Sequence, residues 1–133
     1  MNTQIFVNLP IKNMARSRAF FESLGYSFNP QFSNDQGACL VISEHIYVML
    51  LTHPKFREFT PSEICDTAKA SEVLICLSCE TRKELETLVS KAVAGGGKTY
   101  AQPKDYGFMY QHSFQDLDGH RWELIHMTGT PPR

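Results

Sequence analysis

The chain has 133 residues and a mass of 15.1 kDa, the size of one domain with its own hydrophobic core. Its formal charge is −1 and no long run carries one sign, which argues against nucleic acids or anionic membranes as partners. No apolar stretch approaches the roughly 20 residues that span a bilayer. No signal-peptide pattern opens the sequence either, so we expect a cytoplasmic protein.

The first half of the sequence predicts the element order β-α-β-β-β. A strand at residues 4–9 precedes a helix that Asn13 caps and Gly25 ends. Three short β-rich runs follow, at residues 26–32, 38–43 and 46–52. Residues 53–70 contain two prolines and are predicted to be a linker with a short helix.

The second half predicts the same order again. A strand at residues 72–79 precedes a helix that the glycine run at 95–97 ends. Three further strands are predicted at residues 98–101, 108–115 and 120–127.

The repeated order predicts a single domain over residues 1–133, with one βαβββ unit at residues 1–52 and a second at 71–128. We predict an α+β fold in which the two units form a curved mixed sheet with helices on the outside. The concave inner face of such a sheet is the expected ligand cleft.

Two segments resemble motifs of the vicinal oxygen chelate superfamily, which includes glyoxalase I, bleomycin-resistance proteins and extradiol dioxygenases. Residues 6–26, FVNLPIKNMARSRAFFESLGY, resemble the opening strand, turn and helix of that family. Residues 116–124, DLDGHRWEL, are similar to its Asp-Pro-Asp-Gly turn and the following strand. With the doubled βαβββ order, the resemblance covers nearly the whole chain and is closest to small predicted lactoylglutathione lyase-like proteins.

The resemblance implies four metal-ligand positions on the concave face, occupied in metal-using glyoxalases by His or Gln, Glu, His and Glu. Alignment of the strands places four residues there: Phe6, Met49, Leu74 and Glu123. Only Glu123 is a ligand type, and apolar side chains cannot replace the nitrogen and oxygen donors that a divalent ion needs. We therefore predict no metal site and no other cofactor.

Strand alternation extends the set of residues expected on the concave face. The residues 106–114 have two faces, and the sequence does not decide which of them enters the cleft. The predicted ligand-binding residues are Phe6, Asn8, Tyr47, Met49, Leu74, Tyr110, His112 and Arg121.

The role of Glu123 stays open at this point, between an ion pair with Arg121 on the same strand face, a contact to ligand, and a catalytic base. Asp116 is interpreted as a turn former and His120 as a solvated surface residue. Cys76 and Cys79 form an isolated CLSC sequence in an apparent strand, which is typical of small buried hydrophobes rather than of a redox or zinc site.

The predicted function is that of a glyoxalase/bleomycin-resistance-like protein that binds a small organic molecule in an apolar, aromatic cleft without the metal. Two alternatives remain: a glyoxalase-like lyase or isomerase that uses Glu123 as base, and an interaction module without a ligand. We expect a homodimer, because a chain of this size leaves sheet edges that pairing would cover.

Overall fold

The computed structural model describes residues 2–129, so the outer ends of the predicted domain, residue 1 and residues 130–133, lie outside it. No helix in the described range has the length and apolar character required to cross a membrane. The chain divides between Asp66 and Thr67 into two compact units.

The first unit contains a four-stranded mixed sheet and two α-helices. Its elements are β1 (Ile5–Ile11), α1 (Met14–Ser23), β2 (Ser27–Asn29), β3 (Gly37–Val41), β4 (Ile46–Thr52) and α2 (His53–Arg57). The strand order is β1-β4-β3-β2, with β1 parallel to β4 and the other pairs antiparallel. The short helix α2 contacts β1 and β4, and so belongs to this unit.

The core of the first unit forms between α1 and one face of the sheet. Apolar side chains alternate along the strands, so that Val48 and Leu50 are fully buried on the face they share. From α1, Phe20 and Phe21 pack edge to face, with ring centroids 5.0 Å apart. Asn13 caps α1 by accepting a 3.0 Å hydrogen bond from the Arg16 amide, as the sequence predicted.

The second unit repeats the architecture. Its elements are β5 (Leu74–Ser78), α3 (Arg82–Ala94), β6 (Lys104–Asp105), β7 (Met109–Gln115) and β8 (Arg121–Met127). The strand order is β5-β8-β7-β6, with β5 parallel to β8 and the other pairs antiparallel. The α+β class and the two βαβββ units are therefore confirmed.

The core of the second unit lies between α3 and the face of the sheet that carries Trp122 and Leu124. Trp122 is 1% exposed and stacks on Phe114 at 6.0 Å between ring centroids. From α3, Leu85 is fully buried in the same core. Burial of large apolar side chains is the main favourable term in forming this unit.

Two predicted strands differ in the structure. The run at 26–32 is shortened, because Pro30 opens a 3-10 turn over Pro30–Phe32. The predicted strand at 98–101 makes only one bridge, between Lys98 and Gln115, before the chain leaves the sheet. The edge strand β6 starts instead after Pro103, which has no N–H to give to a ladder.

Candidate functional site

Glu123 lies in the middle of β8, on the face of the second sheet opposite Trp122 and Leu124; we call it the Glu123 face. The strand register places Cys76 of β5 on one side of Glu123 and Ser113 of β7 on the other. Paired residues of neighbouring strands project from the same face of a sheet. The carboxylate therefore points away from the packed core.

The turn that begins β8 is built around the buried carboxylate of Asp116. Its Oδ1 accepts hydrogen bonds from the amides of Asp118 and His120, and its Oδ2 accepts one from Trp122 Nε1, all at 3.0 Å. Burial raises the pKa of Asp116, while the neighbouring His120 and the hydrogen bonds oppose the shift. Asp116 is thus a turn former, as predicted, and also the anchor of the tryptophan beside Glu123.

His120 is 6% exposed, so its interpretation as a solvated surface residue is wrong. The Asp116 carboxylate accepts the His120 amide and so fixes this residue in the tight turn, where it is buried; the pattern DLDGH alone does not reveal that burial. The turn also requires Gly119, whose φ is +86° and whose absent Cβ would lie 2.9 Å from Thr67 Oγ1.

A pocket of about 70 Å³ opens beside Glu123. Its lining includes Tyr100, Lys104, Gln111, Ser113 and Glu123. The sequence does not reveal the place of Tyr100, because it predicts a strand over residues 98–101. The loop instead lays this side chain across the Glu123 face.

The Tyr100 ring lies over Arg121, with the guanidinium carbon 4.8 Å from the ring centroid. Arg121 therefore stacks on Tyr100, and no ion pair joins it to Glu123 within residues 2–129. Two polar atoms of the stacked pair, Tyr100 Oη and Arg121 Nε, are buried without a hydrogen-bond partner. Ser113 approaches the Tyr100 hydroxyl and lowers its pKa against the larger, opposite effect of burial, but their geometry falls short of a hydrogen bond.

Two predicted ligand residues, Tyr110 and His112, are opposite His126 and Leu124 in the register, so their side chains lie on the face packed against α3. Tyr110 donates a 3.2 Å hydrogen bond to Glu86 of α3. Burial lowers the pKa of His112, and Nδ1 of its ring is buried without a partner. The structure does not bring these two side chains together with Glu123, although His112 borders the pocket.

In the first unit, the predicted residues Phe6, Asn8, Tyr47 and Met49 share the face opposite the buried Val48 and Leu50; we call it the Phe6 face. Phe6 is 49% exposed and stacks on Tyr47 with ring centroids 4.9 Å apart. In the second unit, the predicted residue Leu74 is 53% exposed on the Glu123 face, opposite Arg121.

The residues at the metal positions of the fold do not fit a divalent ion. Phe6 and Leu74 offer only carbon atoms, and Met49 offers a thioether, which suits soft ions rather than those that carboxylates prefer. Within residues 2–129, no three side chains among His, Cys, Asp and Glu cluster in a way that would hold a metal. The donor set around Glu123 consists of a thiol, a hydroxyl and a stacked arginine, so no chemical step is assigned to a metal.

The two cysteines of CLSC have different environments. Cys76 is exposed on the Glu123 face, and burial of its thiol, with the Glu123 charge, raises its pKa. Cys79 is buried, and burial raises its pKa to about 11. A raised pKa disfavours the thiolate that redox or metal chemistry needs.

No family model matches the sequence, and no curated protein matches it. Solved structures do. A hypothetical protein from S. aureus is 26% identical, covers 95% of both chains and superposes with a TM-score of 0.79. A glyoxalase-related enzyme from Fulvimarina pelagi is 17% identical over 95% of this chain and 88% of that chain, with a TM-score of 0.78.

A glyoxalase/bleomycin resistance protein/dioxygenase family enzyme from Burkholderia phytofirmans is 15% identical over 92% of this chain and 96% of that chain, with a TM-score of 0.75. Similarity at such low identity establishes the fold and leaves the chemistry to the residues of each site. This chain has the fold of the glyoxalase/bleomycin resistance/dioxygenase proteins, the fold that its sequence motifs predicted.

Proposed function

We propose that this chain binds small organic molecules on its exposed sheet faces, each face considered by itself, without using a metal ion. The observation that carries the proposal is the pair of buried polar atoms on the Glu123 face, Tyr100 Oη and Arg121 Nε, that have no hydrogen-bond partner in the protein. Buried polar groups are almost always satisfied, so such atoms beside a pocket indicate a site for an external polar group.

On the opposite face of the same sheet, most buried polar side-chain atoms have hydrogen-bond partners. There Tyr110 is bonded to Glu86, Trp122 to Asp116, and His126 Nδ1 lies 3.1 Å from the carbonyl oxygen of Cys79. Apart from His112 Nδ1, the buried polar side-chain atoms described on that face have partners. The unsatisfied groups are therefore concentrated where the sheet is open.

The Phe6 face of the first unit is by itself a surface suited to an organic ligand. The stacked rings of Phe6 and Tyr47 are partly exposed, and an exposed aromatic pair costs free energy in water unless a ligand covers it. Contact with one such ring is worth about 1 kcal/mol, or about fivefold in affinity.

The test is a binding screen of small aromatic compounds by thermal shift, with the protein kept in EDTA, followed by calorimetric titration of each hit. Among the hits, those that bind to the Phe6 face are expected to lose about fivefold in affinity in Phe6→Ala. The control is Phe32→Ala, which removes another exposed ring, at 64% exposure, outside the sheets. A screen without hits, or hits that bind only after metal is added, would refute the proposal.

A second candidate function, a glyoxalase-like isomerase, is favoured by one observation. Within residues 2–129 the Glu123 carboxylate makes no hydrogen bond or ion pair, and Glu123 shares the pocket with Tyr100, whose pKa burial raises. Glu123 would remove a proton next to a carbonyl, and Tyr100 would donate to the enolate oxygen. Solvent deuterium exchange into a bound carbonyl compound, lost in Glu123→Gln, would support it, and its absence in the wild type would exclude it.

We also propose that the chain is a homodimer that acts in the cytoplasm. Ile5 and Ile46 are opposite each other on β1 and β4 and are 53% and 36% exposed, which gives the β1 edge an apolar surface. All four cysteines are free, as is usual in a reducing compartment. Light scattering should give twice the chain mass, and Ile5→Lys should halve it; a monomeric wild type would contradict the dimer.

A further inference from the structure

The pocket on the Glu123 face contains two opposite charges that do not pair with each other. Within residues 2–129, neither the Glu123 carboxylate nor the Lys104 ammonium group has an ion-pair partner within 4.0 Å. Both residues line the pocket, and the strand register places them on the same face of the sheet. Opposite charges in one small pocket are expected to pair unless their backbone positions keep them apart.

The strand register explains the separation. Lys104 of β6 is opposite Gln111 of β7, and Glu123 of β8 is opposite Ser113, two residues farther along β7. Two strand spacings across the sheet and two residues along it place their Cα atoms about 12 Å apart. A small group carrying both charges would bridge this gap, with its cation on Glu123 and its anion on Lys104.

Tyr100 supplies a hydrogen-bond donor between the two charges. Its hydroxyl is buried, close to Ser113 at the middle of β7, and has no hydrogen-bond partner. The stacked guanidinium of Arg121 holds the ring in place and adds positive charge behind it. An anionic oxygen would satisfy this hydroxyl with the charge-assisted hydrogen bond that neutral partners do not offer.

We infer that the polar end of the ligand is an α-amino carboxylate, with its ammonium group on Glu123 and its carboxylate on Lys104 and the Tyr100 hydroxyl. The inference rests on the proposed function and adds the chemical class of the ligand. The pocket volume is only about 70 Å³, so the pocket would take this small polar end of the molecule and leave the remainder outside.

Calorimetric titration with three probes that share a phenyl ring tests the class. Phenylglycine carries both charges, phenylacetate only the carboxylate, and benzylamine only the ammonium group. Phenylglycine is expected to bind at least about tenfold more tightly than either of the others, since each lacks one charge-assisted contact.

Two pocket variants, each with a control variant outside the pocket, test whether Tyr100 and Glu123 contact the ligand. Tyr100→Phe removes the hydroxyl in the pocket, and Tyr110→Phe removes one from the opposite face of the same sheet. Glu123→Gln removes the charge in the pocket, and Glu80→Gln removes an exposed one before α3. The pocket variants should each weaken phenylglycine binding about tenfold or more, and the control variants less than twofold.

The outcomes separate this inference from the proposed function. If phenylglycine fails to bind, or binds no better than phenylacetate and benzylamine, the class is wrong. The same follows if the pocket variants bind phenylglycine as the wild type does. The aromatic screen then decides alone whether the chain binds small organic molecules, because hits from that screen would keep the proposed function while this ligand class falls.

Discussion

The hydrogen bonds of Asp116 give the most direct prediction about stability. Its carboxylate is 4% exposed and accepts three bonds of 3.0 Å, from two backbone amides of the turn and from the Trp122 indole. A hydrogen bond to a charged group contributes about 1.5–3 kcal/mol, and a buried donor left without a partner costs a similar amount.

Asp116→Asn and Asp116→Ala should both lower the free energy of unfolding, and the alanine variant should lower it more. Asp116→Asn keeps an oxygen for both amides and loses the bond to the indole, so we expect a loss of about 1.5–3 kcal/mol. Asp116→Ala removes the acceptor of all three hydrogen bonds, and we expect a loss of about 3–5 kcal/mol, the range of severe buried substitutions. That is a large part of the 5–15 kcal/mol that stabilises a typical domain.

Urea unfolding followed by circular dichroism gives the free energies of unfolding, with the m-value as a check on two-state behaviour. Asp35→Ala, at an exposed aspartate of the first unit, is the control and should change the free energy by less than about 0.5 kcal/mol. A loss below about 1 kcal/mol for Asp116→Ala, or a larger loss for the asparagine variant, would refute the anchoring role of Asp116.

Three further predictions follow from individual residues. Burial lowers the pKa of His112, so the unfolded chain binds the proton more readily, and the free energy of unfolding should fall as the pH drops below about 6.5. In urea unfolding, His112→Gln should flatten that pH dependence. An unchanged pH dependence in this variant would contradict the prediction. Gly119→Ala should lower the free energy of unfolding by about 1–3 kcal/mol. Gly107→Ala should lower it less, because Gly107 has a similar positive φ but open space where the Cβ would lie. Equal losses in urea unfolding would exclude the clash with Thr67. Cys79 should resist iodoacetamide at pH 8, because burial raises its pKa to about 11, and rapid alkylation seen by mass spectrometry would contradict its burial.

The local elements were predictable because their signals are local. The cap of α1 at Asn13 and the glycine at the end of α3 follow from the backbone needs of helix ends, and both are in the structure. The alternation along β1 and β4 placed Phe6 and Met49 on the face opposite the core, because side chains of a strand must alternate.

The candidate site was harder to predict because it depends on a loop and on register. Tyr100 reaches the Glu123 face only because the chain leaves the sheet after Lys98, which no periodicity signals. The orientation of Tyr110 and His112 was left open by the sequence, and the pairing of β7 with β8 decides it. The ion pair of Arg121 with Glu123, one of the roles left open by the sequence, does not form, because Arg121 stacks on Tyr100 of a segment far from it in the sequence.

Elemental analysis of the purified protein tests whether the chain binds its ligand without a metal. The metal content is measured before and after incubation with excess Ni²⁺ and Zn²⁺ and removal of free ions, for the wild type and for Glu123→Gln. We predict less than stoichiometric metal in both proteins, because Phe6, Met49 and Leu74 supply no suitable donors. One equivalent of metal in the wild type that is lost in Glu123→Gln would contradict it.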